Sequence, residues 1–267
     1  FENVIGTGNK PILFYNHSVT IKDWNNNVSE IILCNADNST IDNLTLIGND
    51  NNGLILTGGT ENTTVKNSYF QDLEDGIYLL YSDSNTLSNI TTYSNSDSGI
   101  HLLYSDSNTL SNITTYSNNY YGIYLYYSDS NTIKNSKIYS NSDHGIYLLA
   151  SDSNTITNIT SYNNYYGIYL RGSDSNTIKN SKIWNNSQYG INLLNSGMDA
   201  PNLIYNNIFN NTNNFYISSI LSAPNQWNVT KQEGDNIYDP SNPYIGGNLW
   251  AKPDGTGFSQ TCNDTDK

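Results

Sequence analysis

The sequence predicts an all-β chain wound into a right-handed parallel β-helix, with three strands per coil, about 23 residues per coil and roughly eight or nine coils. Three observations predict it. The phrase Gly-Ile-x-Leu recurs with its glycine at Gly76, Gly99, Gly122, Gly145 and Gly167, and Gly-Ile-Asn-Leu follows at Gly190, at intervals of 23, 23, 23, 22 and 23 residues. A second phrase, Ser-Asp-Ser-Asn-Thr-Ile/Leu, starts at Ser82, Ser105, Ser128, Ser151 and Ser173. Composition excludes helical architectures, because 47 Asn and 23 Tyr stand against five Ala, five Glu and five Gln. Leucine-rich repeats share this period but need a helical segment in each repeat, which these residues do not supply.

Before the regular block, residues 1–20 read as an N-terminal strand or cap, with Pro11-Ile12-Leu13-Phe14-Tyr15 as its strand. Degenerate rungs follow at Thr40-Ile41-Asp42-Asn43 and Thr64-Val65-Lys66-Asn67, so the helix is assigned to residues 21–221. Within the coil that starts at Gly145, alternation turns Ile146 and Leu148 inward, Tyr147 and Leu149 outward, and Ile156 inward again. Two internal stacks result, Ile77 to Ile191 and Leu87 to Ile178. A third corner compensates its volume: large Ile90, Ile113 and Ile159 precede small Thr92, Thr115 and Ser161, while small Ser136 and Ser181 precede large Ile138 and Ile183. Asn89, Asn112, Asn135, Asn158 and Asn180 fall in register beside these positions and are expected to form an internal amide ladder. Tyr93, Tyr116, Tyr139, Tyr162 and Trp184 form a column expected to stack rung on rung. Leu203-Ile204-Tyr205-Asn206 is a further rung, and residues 222–267 read as an irregular C-terminal cap or tail.

Charge narrows the partners. Net charge is −13 and Arg171 is the only arginine, which leaves little to neutralise nucleic-acid phosphates or hold an anionic membrane. The longest apolar runs are far shorter than a membrane span, so no membrane span is expected in this chain. Low charge, polar repeats and Asn-x-Ser/Thr sequons favour an extracellular or cell-surface setting. If Asn89, Asn112 and Asn158 are spent inside a corner, the better glycan acceptors are Asn16, Asn185, Asn210 and Asn228. Cys34 and Cys262 lie at opposite ends and fit neither a dense disulfide framework nor a CxxC metal site. Phe1 opens the sequence without a charged, apolar leader, so any signal segment or further precursor lies outside it.

Two surface features remain. Asp83, Asp106, Asp129, Asp152 and Asp174 repeat in register, and are expected to accept turn N–H bonds; the sharper alternative is a row of weak Ca²⁺ sites. No other cofactor is expected. The outward face of the Gly-Ile-x-Leu strands carries Tyr78, Leu80, His101, Leu103, Tyr124, Tyr126, Tyr147, Leu149 and Tyr169 where polar residues would be usual. Such a stripe implies a partner: the tail, a second subunit, another surface protein or a polysaccharide stacking on tyrosines.

The Gly-Ile-Tyr-Leu and Ser-Asp-Ser-Asn-Thr-Ile pattern resembles the right-handed β-helix surface proteins abundant in methanogenic archaea, grouped with the NosD-like and CASH β-helix families. Gly246-Gly247-Asn248-Leu249-Trp250, followed by Gly255-Thr256-Gly257-Phe258, strengthens the likeness, which covers roughly residues 10 to 262. It implies the fold, but the scaffold hosts lyases, hydrolases, epimerases and inert structural proteins alike. It also implies a calcium-type loop that Asn263, Asp264 and Asp266 would begin, and copper. Against copper stand His17, His101 and His144, which are scattered along the chain, with one Met198 and two distant cysteines. Against a sugar-cleaving enzyme stands the absence of clustered carboxylates with basic residues. The expectation is a non-enzymatic structural, sheath, S-layer, filament or adhesion module of an archaeal cell surface. Its alternative is a carbohydrate-binding module or polysaccharide-active enzyme.

Overall fold

The computed structural model describes residues 4–48, 51–218 and 225–261. The chain is a parallel β-solenoid with three short strands to a coil, the second and third running together in Thr64–Gln71, Thr86–Tyr93 and Thr109–Tyr116. The first strands of successive coils form a 10-stranded sheet that runs from Ile12–Tyr15 to Phe215–Ser218. The second and third strands share a 15-stranded sheet that bends at a left-handed asparagine. Pairing is parallel and in register: Ile77, Ile100, Ile123, Ile146, Ile168 and Ile191 are successive partners, and all are fully buried. The column from Leu87 to Ile178 is likewise buried, and the large and small partners of the third corner are all inside.

Each repeat glycine has a steric reason. A Cβ on Gly76, Gly99, Gly122, Gly145 or Gly167 would sit 2.5–2.7 Å from the carbonyl oxygen of the next glycine in the column, so any side chain would push the rungs apart.

The amide ladders are real but lie elsewhere than expected. Asn89, Asn112, Asn135 and Asn158 are exposed, and Asn180 is half-buried; all occupy left-handed backbone with φ of 52–54°. Asparagine suits that corner because its short polar side chain tolerates φ > 0. The buried ladder runs four residues earlier, through Asn85, Asn108, Asn131, Asn154 and Asn176. Each of these accepts the N–H of the preceding rung on Oδ1, as Asn131 does from Asn108 at 2.7 Å. Asn131 Nδ2 also donates to Ser105 O at 3.0 Å. A second buried ladder links Asn95, Asn118, Asn141, Asn164 and Asn186. Alternation alone misplaced them, because these amides sit at turns where the chain leaves its period of two.

At the N-terminal end, Ile12–Tyr15 pairs with Glu30–Cys34 and already belongs to the solenoid, and the expected boundary after residue 20 cuts the strand Thr20–Lys22. The tail is less irregular than expected. Leu249–Ala251 adds a strand beside Ile208–Asn210, Asn248 extends the amide ladder from Asn207, and Trp250 stacks on Phe209 at 4.6 Å. Cys262, Asn263, Asp264 and Asp266 lie outside the described residues, as does the expected boundary at 221/222. Cys34 is a half-buried free thiol.

Candidate functional site

The outer face of the first sheet carries the most chemistry in the molecule. Tyr78, His101, Tyr124, Tyr147 and Tyr169 form one column, with ring centroids 4.9, 4.6, 5.0 and 4.8 Å apart. The last two pairs are nearly parallel, at 9° and 7°. A second aromatic row, unforeseen from sequence, stands one residue before the glycines of the later coils: Tyr121, His144, Tyr166 and Tyr189. His144 lies 5.4 Å from Tyr121 and 4.7 Å from Tyr166, and edge-on to Tyr147 and Tyr169. Packing of the two rows leaves Tyr147 only 6% exposed. The tyrosine stripe is therefore less open than alternation implies, because most ring faces meet other rings rather than solvent. Beside the rows, half-buried Leu80, Leu103, Tyr126 and Leu149 form an apolar edge that continues in register into Arg171.

Folding also gathers residues that look scattered in sequence. His101, His144 and Arg171 all stand on this face, with Asp75, Asp97 and Asp143 along its margin. Asp75 accepts the Ser98 N–H on Oδ1 and holds His101 Nδ1 3.3 Å from Oδ2. His101 Nε2 is buried without a partner. His144 Nδ1 lies 2.9 Å from Asp143 Oδ1, but the approach lacks hydrogen-bond geometry and Nδ1 is unpaired. Burial among rings lowers the His144 pKa to about 3, so the imidazole is neutral across physiological pH. Burial first, then neighbouring charges, raises the Tyr121 phenol to about 12 and Tyr124 further in the same direction. Asp97 and Asp143 are raised by desolvation, Asp97 also by Asp75. The Tyr147 hydroxyl beside Arg171 raises the guanidinium pKa further.

The aspartate column makes inter-rung hydrogen bonds. Asp83, Asp106, Asp129 and Asp152 each accept the N–H of the next aspartate at 2.6–2.7 Å, and Asp174 accepts those of Gly197, Met198 and Asp199. One carboxylate oxygen of Asp83, Asp106, Asp129 and Asp152 and both of Asp174 are thereby engaged, and no group of three metal-binding side chains occurs among the described residues. Of the expected glycan acceptors, Asn16, Asn185 and Asn228 are exposed, whereas Asn210 is half-buried with its Oδ1 inside and unpaired.

These features define a parallel β-solenoid with a self-stacked aromatic outer face. The family described as periplasmic copper-binding protein (NosD) matches residues 54–255, about three quarters of the chain, and the chain belongs to that family. Its description places the family outside the cytoplasm, and among the described residues no helix is long and apolar enough to cross a membrane. A comparison with curated proteins found no match. Among solved structures, the chain is similar to a point variant of the periplasmic alginate epimerase AlgG, with TM-score 0.62 and 14% identity over 82% of this chain and 70% of that one. It is also similar to the A-module of the Azotobacter vinelandii mannuronan C-5 epimerase AlgE6, with TM-score 0.56 and 14% identity over 82% and 80%. The Dettilon tailspike protein gives 0.55 and 14% over 78% and 49%. At this identity the likeness is one of fold.

The residues do not fit the copper in the family's description. His101 and His144 stand two rungs apart with their unpaired nitrogens buried, His17 lies on the first coil, and exposed Met198 is in a loop beside Asp174. No described arrangement offers the convergent imidazole and sulfur donors that copper prefers.

Proposed function

We propose that the chain is a non-catalytic, extracytoplasmic structural module of an archaeal cell surface, in a layer, sheath, filament or adhesion assembly, that associates through the outer face of its first sheet. The carrying observation is the unbroken apolar edge Leu80, Leu103, Tyr126 and Leu149, which runs over four successive rungs beside rings that are already stacked. An apolar strip several rungs long suits an extended surface, a second copy or another surface protein, better than a small molecule.

Tyr147 is too buried to substitute without disturbing the coil, so the test uses Leu103→Lys with Leu149→Lys. Light scattering should lose the associated species while circular dichroism stays that of the folded coil. Unchanged association in the folded double variant overturns the proposal. A second reading, polysaccharide binding, draws on Arg171 and the tyrosyl hydroxyls beside it. Retardation in gels containing a uronate polymer, lost in Arg171→Gln, would favour it.

A further inference from the structure

From Glu30–Cys34 to Tyr189–Leu194, each strand of the first sheet is followed by a left-handed residue. Asn35, Gly58, Gly172 and Asn195 fill that place in outer coils, as such backbone prefers, and Ala150 fills it in the coil after Tyr127. Three successive central coils instead place Tyr81, Tyr104 and Tyr127 there, at φ of 50, 49 and 46°. A bulky side chain in this region is a backbone outlier that carries a cost. The rings are 57, 41 and 47% exposed, and they stack at 5.0 and 5.2 Å with planes within 5°. Stacking alone does not require this arrangement, since Tyr93, Tyr116 and Tyr139 stack at 4.8 and 4.9 Å as half-buried residues in the third strands. The ridge differs in presenting accessible phenols, each held one rung from the next by parallel backbone pairing.

We propose that the Tyr81, Tyr104 and Tyr127 ridge is a site of oxidative tyrosine coupling, in which a haem peroxidase with hydrogen peroxide joins neighbouring rungs through dityrosine. Each phenol of a pair gives up one electron and its hydroxyl proton. The two radicals then form one carbon–carbon bond between ring positions ortho to oxygen, and the displaced ring protons return to the oxygens as the rings rearomatise. The two electrons and two protons released reduce one peroxide to two waters. The product is a covalent staple across one coil, with both phenol hydroxyls intact.

The folded full chain is treated with a haem peroxidase and hydrogen peroxide, and the monomeric fraction is isolated. Cleavage before Asp75, Asp83, Asp97 and Asp106 puts Tyr81 and Tyr104 on separate peptides. Mass spectrometry should find these peptides joined with the loss of two hydrogens. Tyr104→Phe keeps the ring stack and should abolish that product, whereas Tyr116→Phe, in the half-buried stack, should not change it. Tyr238 is similarly exposed, at 46%, but has no ring partner among the described residues and serves as the accessibility control. Absence of dityrosine in the monomer overturns the proposal. Coupling chiefly at Tyr238 or Tyr116, or only between molecules, overturns it equally.

Discussion

Two asparagine columns run along the same coils four residues apart and do different work. Asn85, Asn108, Asn131, Asn154 and Asn176 are buried and tie each rung to the next; Asn89, Asn112, Asn135, Asn158 and Asn180 stand outside and set a left-handed corner. Identical side chains at the same period thus contribute through different physics, one by satisfying buried backbone groups and the other by tolerating φ > 0. Position relative to the turn, rather than composition or period, separates the two.

The most damaging change should be Gly122→Ala. Its Cβ would lie 2.6 Å from Gly145 O and from Ile138 Cγ2, and 2.9 Å from Asn141 Nδ2, so it strikes the rung spacing and a buried ladder together. A loss of about 3 kcal/mol or more is expected in denaturant titration. Asn131→Ala should follow, at about 3 kcal/mol, because it strands the Asn108 N–H and the Ser105 carbonyl inside the protein. Asn135→Ala loses only an exposed 2.8 Å contact from Asn158 and a left-handed preference, and should cost about 1 kcal/mol. Equal losses in these two variants would break the distinction between the columns.

Acid sharpens the contrast between buried and exposed groups. The lowered pKa of His144 contributes stability that is present above its unfolded value of 6.5 and is lost as pH falls toward about 3. The raised pKa values of Asp97, Asp143, Asp106 and Asp152 act oppositely: their contribution is present below 3.8 and is lost as pH rises through their folded values. His144→Tyr, which copies Tyr121 and Tyr166, should therefore make the chain more resistant between pH 6.5 and 3 than the parent. Melting curves across that window check it, and an unchanged acid profile would remove His144 from the account.

The smallest effect is expected from calcium. With one oxygen of each column aspartate already accepting a backbone N–H, Ca²⁺ in place of chelator should barely move the unfolding temperature. A rise of more than about 10 °C at constant ionic strength would make the column a cation site.

Much of the fold was legible because the repeat makes each column a row of equivalent positions. The Ile and Leu stacks, the compensating Ile/Thr and Ser/Ile pairs and the Tyr93 to Trp184 stack all lie where alternation puts them. What alternation missed sits at turns or at the strand starts just before the repeat glycines. The inner asparagines follow left-handed residues such as Ser84 and Ser94, the Tyr81 ridge is itself left-handed, and Tyr121, His144 and Tyr166 each directly precede a repeat glycine. The grouping of His101, His144 and Arg171 was hidden for another reason: they occupy non-equivalent positions in different coils, and only stacking the coils brings them onto one face.

The central claim is that this face mediates association, and electron microscopy of the purified chain across a concentration series tests it most directly. The account predicts ordered assemblies whose contacts fall on the Leu80, Leu103, Tyr126 and Leu149 edge. Rods that stay monomeric at every concentration, or assemblies that leave this edge open to solvent, would contradict it.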